Sequence, residues 1–268
     1  MGLITISRGS YSKGREIAEK LAQRLGYECI SRDILLEASK DFSIPEVKLI
    51  RAIHDAPSVL DRFKHGKQRY VNFIREAFLE HMQRDNIVYH GLAGHFFIRG
   101  IPNILKIRII ANFEDRVKEE MARENITEKE ARHLLAKDDE ERRKWSMYLY
   151  GIDTKDSQLY DIVLHIDSLK VNDVVEILTD IAKRPCFQAT QQSLTAIRDF
   201  YLAAKAQAVI FDSIPSAEVI KCKNGVIYVN VETALALEKE MSDKIKSMLK
   251  NIDGIKEVRV NVVPFETD

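Results

Sequence analysis

The stretch "ISRGSYSKGREIAEKLAQRLGY", Ile6 to Tyr27, decides how this chain is read. Gly9 and Gly14 stand at the G-x-x-x-x-G spacing of a loop whose backbone N–H groups surround a phosphate. Such a loop normally continues with Lys and then Ser or Thr, but here Arg15 and Glu16 follow. Leu3–Ile6 upstream is a short apolar strand. Downstream, Ile17, Ala18, Leu21, Ala22 and Leu25 share one face of a helix over Arg15–Leu25. Strand, glycine loop and helix place a helix N-terminus against an anion. Gly9, Ser10, Tyr11, Ser12, Lys13, Gly14 and Arg15 are therefore the candidate phosphate-cradling residues. Arg15 offers a planar fork suited to phosphate oxygens, Lys13 a second cation, and Ser10 and Ser12 hydroxyl donors. Glu16 repels phosphate unless it points outward, and a carboxylate at a helix N-terminus gains about 0.3–1 kcal/mol.

Working outward, strands and helices alternate through residues 1–183. "YECI" (Tyr27–Ile30), "NIVYHG" (Asn86–Gly91), "ILKIRIIA" (Ile104–Ala111) and "DIVLHI" (Asp161–Ile166) read as further strands, and Ser31 caps a helix toward Ala38. Helices rich in Lys and Arg fill Pro45–Arg84. Charged helices start near Glu114 and near Thr127, where Thr127 and Glu130 form a capping box, and another runs from Val171 to Lys183. Near-continuous apolar strands alternating with helices predict an α/β, doubly wound parallel sheet. Ligands on such sheets bind at the carboxyl ends of strands, where the Gly9–Gly14 loop sits. Residues 184–192, "RPCFQATQQ", read as a linker. Residues 193–268 then predict a small α+β unit: a helix, a hairpin turning at Asn224-Gly225, a helix over Ala234–Leu249, and a strand in which Val258, Val260 and Val262 alternate with polar residues.

Bulk properties remove several classes. The 41 Lys and Arg balance 41 Asp and Glu, so no global charge drives the chain to nucleic acid or a membrane. No apolar run reaches bilayer length. "MGLITISRGS" is too short an apolar run for a signal peptide and reads as a strand, so a cytoplasmic location is expected. Cys29, Cys186 and Cys222 show no metal or C-x-x-C spacing and are expected as reduced thiols.

The first loop resembles that of the cytidylate kinase-like proteins, a P-loop kinase group. Ser7-Arg8, Ser12, Gly14, Arg15, Ile17 and Ala18 carry the match, while Tyr11 and Lys13 replace glycines. "NFEDRVKEEMARENITEKEARHLLAKDDEERRKW" is similar to the lid stretch of nucleoside monophosphate kinases, and "LYDIVLHIDSLKVNDVVEIL" to the family's closing strand and helix. The resemblance implies a P-loop kinase fold with a helical insertion and a lid, MgATP as donor, and a nucleoside monophosphate, CMP by analogy, as acceptor. It implies that Arg15 and Arg142 act on transferring phosphates, that Asp139 orients Arg142 from the same helix face, and that Arg116 faces the donor nucleotide. Arg32 and Asp33 after the second strand are candidates for acceptor contact. Relatives carry Gly-Arg-Gly-Ala where this chain has "VYHGLAGHF", so Leu92 or His90 stands at the arginine's place. Mg²⁺ is expected to arrive with the nucleotide, held through Ser12 or waters, because no Ser or Thr follows Arg15.

"KNGVIYVNVET" and "IDGIKEVRVNVV" resemble a BON domain, which implies a regulatory, oligomerisation or lipid- or partner-binding role. Three functions are compatible with these residues: phosphoryl transfer to a nucleoside monophosphate or similar small acceptor, a catalytically impaired nucleotide sensor read out by the C-terminal unit, and a lipid- or envelope-associated adaptor in which the kinase fold is only a scaffold. Turnover separates the first from the others.

Overall fold

The structure, a computed structural model, describes residues 2–9, 12–31, 65–91 and 94–264. Ser10, Tyr11, Arg32, Asp33 and Leu92, and the helix expected after Ser31, lie outside the described residues. The chain divides into two compact units, residues 1–64 with 84–190, and residues 65–83 with 191–268.

In the first unit, β1 (Leu3–Arg8), β2 (Glu28–Ser31), β3 (Ile87–His90), β4 (Ile104–Ala111) and β5 (Ile162–Ile166) form one parallel sheet in the order β2-β3-β1-β4-β5. β1, at the centre, is flanked by β3 and β4, and Ser7 stands opposite Arg108. β1 is buried nearly throughout because a central parallel strand is covered on both faces. α1 (Gly14–Leu25) lays Ile17, Ala18, Leu21 and Ala22 on one face of the sheet, against Ile4, Ile6, Val88, Ile107 and Ile109. A later helix, Val171–Ala182, adds Val174, Val175 and Leu178 to the same cluster. On β4 the pleat turns Ile107 and Ile109 into this core and leaves Lys106 and Arg108 half-buried on the opposite side.

Between β4 and β5 the chain leaves the sheet as a two-helix arm, Phe113–Glu124 and Glu128–Tyr150. Val117, Ala131 and Leu135 hold the helices together, with Phe113, Met121 and Ile126 packed beside them. The expected capping box is present: Thr127 accepts the Glu130 N–H, and the Glu130 carboxylate accepts the Thr127 N–H.

The second unit is discontinuous. Its first piece is the helix Gly66–Met82, which packs on the long helix Gln191–Phe211. Tyr70, Phe73, Ile74, Ala77 and Phe78 are buried at helical spacing along it. The remainder is β6 (Ala217–Lys223), β7 (Val226–Glu232), the helix Glu238–Leu249, and β8 (Glu257–Val263). β6 and β7 are antiparallel, whereas β8 lies parallel to β7, making a three-stranded mixed sheet. Asn224 and Gly225 both hold positive φ at the hairpin, which suits a tight turn between twisted strands. The Asp199 carboxylate braces the turn by accepting both of their N–H groups. The inward row is Ile227, Val229 and Val231; Tyr228 faces the other way. Ile220 is exposed where the ladder slips by one residue between Val219 and Lys221.

Candidate functional site

The carboxyl ends of β1 and β4 open into a cleft of about 350 Å³ lined by Ser7, Arg8, Gly9, Arg108, Arg116 and Asp139. Arg142, Arg143, Thr154 and Lys155 complete its polar wall. Six cationic side chains face one carboxylate, so the cleft is built for an anion.

The loop is tied down by its own backbone and by one hydroxyl. The Gly9 N–H donates to the Ile109 carbonyl at 3.3 Å. Ser12 is buried, and its Oγ donates toward the carbonyls of Gly9 at 3.1 Å and Ile109 at 3.4 Å. Gly14 opens α1 beneath the Arg8 side chain: a Cβ there would lie 2.7 Å from the Cβ of Arg8. Arg8 thereby stands between this cleft and a neighbouring groove lined by Ser12, Lys13, Gly14, Arg15 and Glu120.

The expected loop cations are engaged with acids. Lys13, in the left-handed region with φ 58°, pairs with Glu119 of the arm at 2.6 Å, and this contact holds its pKa above the ordinary lysine value. Arg15 lies on the exposed face of α1, and its Nε donates to Glu19 at 2.8 Å. Glu16 points outward to Lys20 at 2.9 Å, which removes its conflict with a phosphate.

Arg116 reaches the loop from the arm. It is 7% exposed, and its Nη1 would lie 4.0 Å from a Cβ placed on Gly9. Its two terminal nitrogens donate to the two carboxylate oxygens of Asp139 at 2.8 and 3.0 Å. This bidentate pair fixes the guanidinium plane as single bonds would not. Asp139 therefore orients Arg116, twenty-three residues away and on the other helix of the arm, in addition to sharing a helix with Arg142. Arg142 lines the same cleft. Arg132 and Arg143 are held by acids of the arm, Glu114 with Glu128, and Glu140.

Two cleft residues, Arg108 and Lys155, and the buried Tyr160 behind Arg108 carry no motif in the sequence. Arg108 donates from Nη1 to Ser7 Oγ and to the Tyr160 hydroxyl, both at 3.3 Å. Tyr160 also donates to the Thr154 carbonyl at 2.9 Å and lies 3.1 Å from Ser7 Oγ. Lys155 follows Thr154 at the cleft edge. The only signal for Arg108 in the sequence was a basic residue alternating with isoleucines near the end of a strand. On the far side of Tyr160, His95 is buried with ring centroids 4.8 Å apart. Burial first, then Arg108, Lys106 and Arg99, pushes His95 down to about 3, so it is neutral at any physiological pH. His90 is buried at the end of β3.

The described residues do not make a protein-built metal site. Among the described residues no group of three or more His, Cys, Asp or Glu could hold an ion. Ser12 Oγ is turned to the loop backbone, and Asp139 is committed to Arg116. No described helix is long and apolar enough to cross a membrane.

A profile described as the cytidylate kinase-like family matches residues 3–168. A cytidylate kinase of Thermoplasma acidophilum is 34% identical over 103 residues, covering 38% of this chain and 53% of that protein. A cytidylate kinase of Methanosarcina acetivorans is 36% identical over 112 residues, covering 39% of this chain and 60% of that protein. The chain thus spans between about half and three fifths of the length of these two relatives. The crystal structure of an uncharacterized protein from Eubacterium ventriosum superposes with a TM-score of 0.52 at 24% identity, covering 69% of this chain and all of that one, which supports the fold. With that profile spanning most of the chain and ending just past β5, the chain belongs to the cytidylate kinase-like family.

Proposed function

We propose that this protein transfers the γ-phosphoryl group of ATP to a nucleoside monophosphate, of which CMP is the first candidate. The observation that carries this reading is the cationic cleft at the ends of β1 and β4, with Arg116 held by Asp139 against Gly9. The two curated relatives above are both named cytidylate kinases. A phosphate oxygen of the acceptor bonds to the γ-phosphorus as the bond to the β,γ-bridging oxygen breaks, giving ADP and a nucleoside diphosphate. Such transfer depends on positioning and on positive charge around the phosphates. The loop N–H groups and Arg116 hold donor phosphates, Arg142 meets charge that develops on the transferring group, and Arg8 lies between the two grooves. Mg²⁺, carried on the ATP phosphates, supplies further charge neutralisation. Arg15 and Lys13 join the phosphates by exchanging Glu19 and Glu119 for the ligand.

The C-terminal unit is read as BON-like from its helix–hairpin–helix–strand order, with regulation or self-association as its role. Sedimentation of the full chain with and without MgATP tests this: a monomer in both conditions removes self-association.

The test of the kinase reading is ADP release from MgATP in a coupled assay, across CMP, dCMP, UMP, AMP and GMP, with Arg116→Ala alongside. Acceptor-dependent release that falls in Arg116→Ala is expected. No release with any acceptor would reject nucleoside monophosphate kinase activity and favour a nucleotide sensor.

A further inference from the structure

Among the described residues Arg108 is a cation without a counter-ion. It is half-buried on β4, and among the described residues no carboxylate lies within 4 Å of its guanidinium. Its partners are two neutral hydroxyls, Ser7 and Tyr160, and the face of the Tyr160 ring 5.6 Å away. The contrast with Arg116 is direct. Both line the same cleft, but Arg116 is neutralised by a bidentate carboxylate. A guanidinium withdrawn from water and left uncompensated is costly, and the remaining side chains around the cleft make it costlier, since Arg8, Arg142 and Lys155 repeat its charge. An anion in front of Arg108 offsets this cost.

We propose that Arg108 binds the phosphate of the acceptor nucleotide, and that Tyr160 is its positioning residue. This rests on the kinase reading above. The acceptor side is chosen because Arg108 connects through Tyr160 to His95, and His95 lies in the helical turn Gly94–Phe97 that follows β3. The stretch Val88–Phe96, which leads into that turn, contains no arginine where a substrate-directed one is expected. A cation two strands across the sheet, on β4, takes over the task. Tyr160 keeps the guanidinium in place: its hydroxyl is fixed by the Thr154 carbonyl and Ser7, and its ring by His95. The ligand class is a phosphate monoester bearing two negative charges, which a fork of N–H donors recognises better than a point charge does.

The test compares wild type, Arg108→Lys, Arg108→Gln and Tyr160→Phe in the full-length protein. Under saturating MgATP, Arg108→Gln is expected to raise the acceptor KM by about tenfold or more while the KM for ATP moves less than about twofold. Arg108→Lys keeps the charge but loses the fork and falls between. Tyr160→Phe is expected to raise the acceptor KM by about threefold, with the thermal midpoint kept, because the ring and its packing remain. An unchanged acceptor KM in Arg108→Gln, in an enzyme that turns over, overturns the inference and leaves the kinase reading intact. If wild type does not turn over with any acceptor, the kinase reading has failed, and Arg108 is then followed through its Nε–H resonance on titration with CMP, ATP and inorganic tripolyphosphate. A response to CMP that is lost with cytidine supports the phosphate assignment; no response to CMP overturns it.

Discussion

The two loop glycines should respond to the same substitution in opposite ways. Gly14→Ala adds a methyl whose carbon would lie 2.7 Å from Arg8 Cβ and 2.9 Å from Arg8 Cδ. The nearer atom is attached to the β1 backbone, so it cannot swing aside. Helix propensity favours the substitution by at most about 1 kcal/mol, and less at the first helical position. Overpacking costs about 1–3 kcal/mol. The clash wins, and the first unit should lose about 1–2 kcal/mol. Gly9→Ala meets nothing closer than 3.9 Å, and Gly9 does not hold a positive φ. Its stability should stay within about 0.5 kcal/mol of wild type. If Gly9 is glycine so that a phosphate can approach the backbone, its alanine variant should lose about tenfold or more in ATP affinity, equivalent to about 1.4 kcal/mol. Stability is followed through the fluorescence of Trp145, the single tryptophan, buried in the arm of the first unit. ATP affinity is measured by calorimetry. A Gly14→Ala protein as stable as wild type refutes the steric argument, and a Gly9→Ala protein that binds ATP normally refutes the phosphate-approach argument.

Further outcomes are expected elsewhere. Asp139→Ala strands Arg116 without its carboxylate and should destabilise the arm by about 1–3 kcal/mol, less than a fully buried pair because Asp139 is partly exposed; Asp139→Asn should recover part of this in a urea titration. Burial pushes Glu76 up to about 7, with Lys205 opposing and Glu80 adding to the rise. The native state then holds a proton that the unfolded chain releases, so the C-terminal unit should lose stability as pH rises from the ordinary glutamate range to about 7. A pH series of thermal melts should lose that slope in Glu76→Gln. Alkylation at about pH 8 should reach exposed Cys186 first, because burial raises the Cys29 thiol to about 11 and the Cys222 thiol to about 12; mass spectrometry showing Cys222 modified first would contradict this.

The local elements were legible where one physical signal dominated. Ile104–Ala111 reads as a strand because four of its residues are isoleucine, and it forms over those residues. The Thr127 and Glu130 capping box needs only neighbours three residues apart. The sequence could not show which charges meet across the fold. Helix spacing sets Asp139 beside Arg142, but a fixed guanidinium on the other arm helix offers two bonds in one plane. Spacing likewise marked Arg15 and Lys13 as phosphate ligands, while each has a glutamate within reach, Glu19 one turn along and Glu119 on the arm. Arg108 and Tyr160 were hidden because their meaning is a sheet register, Ser7 opposite Arg108, and register is a property of two strands. The helix Gly66–Met82 was legible as a helix, but its companion, Gln191–Phe211, is visible only in three dimensions.

That companionship has a practical consequence. A fragment ending near residue 190 would contain the whole parallel sheet and yet carry the Tyr70, Phe73, Ile74 and Phe78 stripe with nothing from Gln191–Phe211 to cover it. Such a fragment should be sticky and prone to associate, and a poor preparation of it would say nothing about the chemistry of its cleft. On the ribosome the same stripe emerges well before the helix that shields it. The newborn chain therefore passes through an interval in which a greasy helix waits for its partner, which makes this the segment a chaperone would hold.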